Sequence, residues 1–231
     1  MRIALLALVL AWAPAESGFV DKTIDYNGAA VKYVVYVPKA YSAEKPHPTI
    51  LFLHGSGEQG DDGQKQVTVG LGPAIKKAEE KWNYLVIFPQ KPKGPGGFGA
   101  HEKLILDILE KTKKEYKVDE KRIYCTGLSM GGMGTWALAV KYPDLFAAVA
   151  PVCGRGDPSQ ASKIKDLPIW NFHGDKDTAV PLKGSQDMID AVKAAGGSPK
   201  FTIYEGVGHN SWDKAYNDEK LEEWFIRHAK K

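Results

Sequence analysis

The stretch IYCTGLSMGGMGTW, residues 123–136, sets Ser129 inside a G-x-S-x-G pentapeptide, with a β-like run before it and a helix-like run after it. A strand that turns this sharply into a helix forces its turn residue to φ > 0, and the residues two positions away on each side must be small. Gly127 and Gly131 meet that steric demand, and Gly132 lets the helix lie close to its neighbours. The pentapeptide also arises by chance in chains rich in Gly and Ser, so its reading depends on finding a strand, a helix and chemical partners in the right places.

The strand and helix are found by working outward. Short apolar runs at residues 49–54, 84–89, 122–126, 147–152, 169–173 and 200–204 are apolar throughout rather than alternating, the pattern of strands covered on both faces. Helical patterns lie between them, at residues 71–82, 130–142, 184–195 and 214–228, and in a stripe of Leu104, Ile105, Ile108, Leu109, Thr112 and Tyr116. The first two strands, residues 19–26 and 31–37, read as a hairpin around Asn27-Gly28. The alternation predicts an α/β fold: a mostly parallel sheet flanked by helices, with antiparallel N-terminal edge strands. In such sheets ligands bind beyond the carboxyl ends of the strands.

The bulk properties suit one domain with a sizeable core: 231 residues, 43% hydrophobic and 26% charged. A net charge of +3 is too mild for a nucleic-acid partner, and Lys111, Lys113 and Lys114 fall on the polar side of a helix pattern. Residues 1–15 have a basic start, an apolar run too short to span a bilayer and an A-x-A end, which reads as a secretory signal cleaved after Ala15. Residues 16–231 then form the single domain of a secreted or periplasmic protein. The two cysteines, Cys125 and Cys153, read as buried free thiols, although export permits a disulfide. No C-x-x-C, H-E-x-x-H or EF-hand pattern occurs, so no metal is expected.

A hydroxyl nucleophile at Ser129 needs a base, and six histidines compete. His47, His101 and His228 read as surface residues; His54 and His173 stand at strand ends directly before glycines, where an imidazole orders a loop. His209 lies in a Gly-rich loop after the last strand and is the expected base. The orienting acid belongs on an intervening loop, and FHGDKDTAVP offers Asp175 and Asp177. Asp175, next to the glycine, suits a turn cap, and Asp177 is preferred as the acid. The N–H of Met130, at a helix N-terminus, is one expected oxyanion donor. FLHGSGEQGDDG supplies a second, the N–H of Ser56, with Gly57 close behind; the Ser56 side chain and Glu58 are open to a purely loop-stabilising role.

The segments LFLHGSGEQG, RIYCTGLSMGGMGTW, IWNFHGDKDTAVP and GVGHNSWDKAY together resemble the α/β-hydrolase superfamily, and within it the small secreted carboxylesterases near the feruloyl esterase, polyhydroxybutyrate depolymerase and predicted-peptidase groups. The resemblance spans nearly all the chain after the leader. It implies a serine hydrolase with Ser129, Asp177 and His209 as its triad, acting on carboxylic esters through an acyl-enzyme and needing no cofactor. One departure is informative: dienelactone hydrolases carry cysteine as the nucleophile, and this chain has serine. The expected substrates are feruloyl, acetyl or other plant-polymer-linked or short-chain acyl esters. A polyester depolymerase of polyhydroxyalkanoate or cutinase type, and a peptidase of the prolyl oligopeptidase type, are the alternatives, the latter disfavoured because the chain has no room for a gating domain.

Residues 154–167, where larger hydrolases insert a lid, are too few to build one, so an open site without a large lid is expected. Trp212, three residues after His209, either lines the cleft as a substrate platform or packs beneath the final helix. Residues 89–101 extend the rim, with Phe98 at a loop tip.

Overall fold

The computed structural model describes residues 16–231, so the expected leader at residues 1–15 lies outside the described residues. Strands β1 (Gly18–Tyr26) and β2 (Ala29–Val37) form an antiparallel hairpin in which Tyr26 faces Ala29. Its two turn residues, Asn27 at φ 56° and Gly28 at φ 78°, have the positive φ that matches the twist of the flanking strands. The remaining strands are β3 (His47–Leu53), β4 (Leu85–Pro89), β5 (Val118–Leu128), β6 (Ala148–Val152), β7 (Trp170–Gly174) and β8 (Lys200–Tyr204). They join into one eight-stranded sheet in the order β1-β2-β4-β3-β5-β6-β7-β8. β2 meets β4 antiparallel, and every pairing from β4 to β8 is parallel.

Both residue parities of the inner strands are buried, as their continuous apolar runs require. Val35, Leu51, Leu53, Ile87 and Cys125 face one core layer, and Val34, Ile50, Phe52, Val86, Phe88 and Tyr124 face the other. Three helices cover the first layer: α2 (Glu102–Glu115), α3 (Met130–Lys141) and α4 (Lys183–Ala194). From α2, Leu104, Ile105, Ile108 and Leu109 are fully buried, each contributing about 2 kcal/mol relative to exposure. The second layer is covered by α1 (Leu71–Lys77), α5 (Trp212–Asn217) and α6 (Leu221–Ile226). Among the described residues no helix is long and apolar enough to cross a membrane.

Four local expectations are corrected. The helix expected over 71–82 ends at Lys77, because Ala78 turns to φ −147° and a 3₁₀ turn, Glu79–Lys81, delivers Trp82 into the core. The helix expected over 214–228 is two helices, with Lys220 at ψ 56° at the break. Five residues of helix rotate a side chain by about 140°, so an unbroken helix that buries Tyr216 would aim Leu221 away from the core. The break lets both be buried. His47 is buried rather than on the surface: it opens β3, and its Nε2 pairs with Asn83 Oδ1 at 3.2 Å. Phe98 is 1% exposed, beneath Gly134 and edge-on to His54, so it is a core residue and no loop tip.

Candidate active site

The parallel registers line up the strand ends that carry the site. Leu128 at the end of β5 pairs with Val152 of β6, and Val152 with Phe172 of β7. β7 pairs with β8 through Gly174 and Tyr204, and the ladder continues past both strands in the bond from Lys176 N–H to the Val207 carbonyl at 2.9 Å. Residues just beyond these ends therefore share one edge of the sheet: Ser129, Cys153, Asp177 and His209.

Ser129 sits at φ 54° and ψ −116°, in strained backbone immediately before α3. The glycines around it have no alternative. A Cβ on Gly127 would stand 2.5 Å from the Leu53 carbonyl oxygen, and one on Gly132 would stand 2.3 Å from that of Val152. The Ser129 N–H donates to the Val152 carbonyl at 3.0 Å and also approaches Cys153 Sγ at 3.3 Å, which leaves its hydroxyl as the group presented at the edge.

That hydroxyl lies 2.8 Å from His209 Nε2, and His209 Nδ1 lies 2.7 Å from Asp177 Oδ2. Because the carboxylate only accepts, Nδ1 carries the ring proton and Nε2 is free to take the serine proton. The Asp177 side chain is fully buried while His209 keeps 28% of its side chain exposed, so the relay is dry at the acid and open at the base. Burial alone would push the Asp177 carboxyl up. The bond from His209, the N–H groups of Val180 and Ala179, and the charge of His209 outweigh it and hold the group below the usual carboxylate range. Asp175 has the other role: its Oδ1 accepts the Gly206 N–H at 2.7 Å and ties the β7 loop to the β8 loop.

Of the two expected oxyanion donors, Met130 directly follows the serine and Ser56 follows Gly55, which lies close to it. Met130 is the first residue of α3, and its N–H, like that of Ser56, donates to no acceptor among the described residues. Ser56 and Gly57 are exposed in a 3₁₀ turn, Ser56–Glu58, and a Cβ on Gly55 would stand 3.9 Å from Ser129 Cβ. Glu58 folds back over Gly55, its Oε2 at 2.9 Å from that same point. Trp212 meets His209 edge-to-face, centroids 5.4 Å apart, and also packs against the second core layer.

Several supporting residues are not evident from motif reading. Gln90 accepts the Gly63 N–H and donates to the Glu58 carbonyl, while Lys91 N–H donates to His54 Nε2 at 2.9 Å. The Lys91 ammonium is buried among three neutral acceptors, Gln59 Oε1 and the carbonyls of Pro92 and Gly94, and burial pushes its pKa down. These contacts clamp the Ser56 loop to the end of β4. The only advance signal was the position of Gln90 and Lys91 at a strand's carboxyl end. His54 and His173 order loops as expected: His54 Nδ1 bonds the Gly55 carbonyl, and His173 Nε2 bonds that of Val180.

Cys125 and Cys153 are buried free thiols. Ligand atoms of Cys153, Asp177 and His209 lie within 4.8 Å of one another. Two of them are already hydrogen-bonded at 2.7 Å, and burial pushes the Cys153 thiol up to about 12, so the trio is built as a His–Asp pair over a neutral thiol. Residues 154–167 carry only a 3₁₀ turn, Pro158–Ile164, with Ala161 and Ile164 buried, and no large lid covers the edge.

Comparison with known proteins agrees with this geometry. Acetylxylan esterase A of Aspergillus ficuum is 29% identical over 221 residues, covering 86% of this chain and 68% of the esterase. Poly(3-hydroxyalkanoate) depolymerase C of Paucimonas lemoignei is 29% identical over 220 residues, covering 88% of this chain and 50% of the depolymerase. The chain thus spans half to two thirds of the length of these two curated relatives. The crystal structure of a thermostable esterase superimposes with a TM-score of 0.84 at 32% identity, covering 92% of this chain and 63% of that one. Residues 97–224, more than half of the sequence and all of the Ser129, Asp177 and His209 loops, match the dienelactone hydrolase family. On that match the chain belongs to the dienelactone hydrolase family of the α/β-hydrolase superfamily, and its bonded line of Ser129, His209 and Asp177 has the geometry of a serine-hydrolase triad.

Proposed function

We propose that the chain is an exported carboxylesterase, with residues 16–231 as one catalytic domain behind a cleaved leader at residues 1–15, hydrolysing acetyl, feruloyl or other short acyl esters attached to plant polymers. The observation that carries the ester-hydrolase reading is the unbroken hydrogen-bonded line from Ser129 Oγ through His209 to Asp177. The substrate class is supported by the likeness to an acetylxylan esterase and by the open, lidless edge, which suits an ester held on a bulky carrier.

His209 Nε2 takes the Ser129 proton as Oγ attacks the ester carbonyl carbon. Asp177 holds the imidazole and stabilises its charged form. The oxyanion rests on the N–H groups of Met130 and Ser56, each worth about 3 kcal/mol of transition-state stabilisation. Collapse breaks the ester C–O bond, and His209 returns its proton to the departing alcohol. Water, deprotonated by His209, then attacks the acyl-serine and releases the acid and the free hydroxyl. Gly57 and Trp212 flank the path of the substrate. The chemistry uses only groups of the chain itself, without metal or organic cofactor.

A hydrolysis panel tests this reading: aryl esters of increasing acyl length, methyl ferulate, acetylated xylan and peptide amides. Release of acetate from xylan or of ferulate is expected, and cleavage of amides without esters would overturn the proposal. The likeness to a poly(3-hydroxyalkanoate) depolymerase favours a second reading, an esterase of polyester chains, which a polyhydroxyalkanoate film in the same panel distinguishes.

A further inference from the structure

Asp177 faces more donors than the orientation of one imidazole requires. Its Oδ1 accepts the N–H groups of Ala179 and Val180, each at 2.9 Å, and its Oδ2 accepts from His209. A second imidazole closes on that same Oδ2: His173 Nε2 lies 3.1 Å away, with both side chains fully buried. His173 Nε2 is also 2.8 Å from the Val180 carbonyl.

Proton accounting determines the tautomer. A carbonyl and a carboxylate only accept, so Nε2 of His173 carries a hydrogen. Nδ1 of the ring is 2.8 Å from Ser185 Oγ, which is itself 2.8 Å from the Gly154 carbonyl. Ser185 has one proton to give. Donated to Nδ1 it leaves His173 neutral; donated to Gly154 it demands an imidazolium. Burial lowers the His173 pKa, against the opposing pull of Val180 and Asp177, so the neutral form with its proton on Nε2 is the one present.

We propose that His173 is a positioning residue for the triad: its Nε2–H, shared between the Val180 carbonyl and Asp177 Oδ2, fixes the carboxylate against His209 and draws off part of its negative charge. The line of close contacts then runs Ser185, His173, Asp177, His209, Ser129, reaching from α4 to the nucleophile, with the His173–Asp177 step a 3.1 Å approach. The inference rests on the triad reading above. The titratable groups facing Asp177 are His173 from β7, His209 from the loop after β8, and the thiol of Cys153 beyond β6. Without the His173 donor, Asp177 stays in place through Oδ1, but Oδ2 presents its full charge to His209. That favours the protonated base, so the acidic limb of the activity profile moves to higher pH.

The test is kcat/KM against pH on an aryl acetate for the parent, His173→Leu, His173→Gln and Ser129→Ala. Leucine removes the donor, and glutamine restores an amide N–H near the position of Nε2. We expect the limb to rise by about half a pH unit or more in His173→Leu and to return toward the parent in His173→Gln. A folded His173→Leu with an unmoved limb, or a Gln variant displaced as far as the Leu variant, overturns the proposal. Should His173→Leu fail to fold, histidine ¹⁵N NMR of the parent reads the tautomer directly: a protonated Nε2 supports the inference, and a protonated Nδ1 with bare Nε2 overturns it. Hydrolysis that survives in Ser129→Ala defeats the triad reading instead, so the two failures are separable.

Discussion

A β-carbon on Gly131 would stand 1.9 Å from the carbonyl oxygen of Leu53. The start of α3 is pressed onto the end of β3 at this point, and the contact sets how closely the helix N-terminus approaches the Gly55–Ser56 loop. Backbone on both sides leaves nothing flexible to move aside. Gly131→Ala is therefore expected to lose about 4 kcal/mol or more of stability, read as a lowered guanidinium midpoint. A variant as stable as the parent would refute the packing described.

Ser129 pays a conformational cost at φ 54° that its chemistry justifies. Ser129→Ala and Ser129→Gly both lack the hydroxyl, and each should lower turnover by several orders of magnitude while the fold persists. They should differ in stability, since glycine adopts this backbone without strain and alanine does not. Thermal melts are expected to place Ser129→Gly about 1 kcal/mol above Ser129→Ala.

The two aspartates of the β7 loop separate in the same way. Asp177→Asn presents an amide where His209 needs an acceptor and favours the wrong ring tautomer, so kcat should fall by about four orders of magnitude. Asp175→Asn keeps an oxygen for the Gly206 N–H and should retain activity near that of the parent. Equal losses in the two variants would return the choice of acid to open question.

His54 makes acid stability measurable. Its Nε2 accepts from Lys91 N–H, so the ring is neutral in the fold, and burial pushes its pKa down to about 4. The unfolded chain, with an ordinary histidine near 6.5, binds the extra proton between these values. The stabilising contribution is complete above that upper value and is lost as pH falls toward about 4. Buried His47 and His173, both also lowered by desolvation, act in the same sense. Denaturant titrations at neutral and mildly acidic pH should show this loss, reduced in His54→Gln.

Both thiols should be inert in the folded protein. Desolvation pushes Cys125 and Cys153 each up to about 12, and neither side chain is exposed. An aromatic disulfide reagent at mildly alkaline pH is expected to titrate no thiol natively and two after unfolding.

The sequence is most legible where the physics is local. The glycines at 127, 131 and 132 announce a steric problem that only a sharp strand-to-helix turn creates, and Asn27-Gly28 announces a hairpin turn. It is least legible where an outcome depends on what lies across the sheet. Phe98 is flanked by glycines and reads as a loop, yet it fills the space beneath Gly134. His47 sits between prolines, yet the extension of β3 buries it. The break between α5 and α6 follows from which side chains the core accepts, a demand that helical periodicity over 214–228 does not carry.

From sequence alone came the strand and helix alternation, the mostly parallel sheet, the strained turn at Ser129 and the chain order of the triad, since periodicity and the absence of a Cβ act within a few residues. Only the tertiary structure decided that Asp177 and His209 meet at 2.7 Å, that Lys91 clamps the Ser56 loop, and that a second imidazole, His173, closes on the same carboxylate oxygen. Those contacts are set by the registers of β3 with β4 and of β5 through β8, and a register is a property of paired strands that neither strand holds by itself.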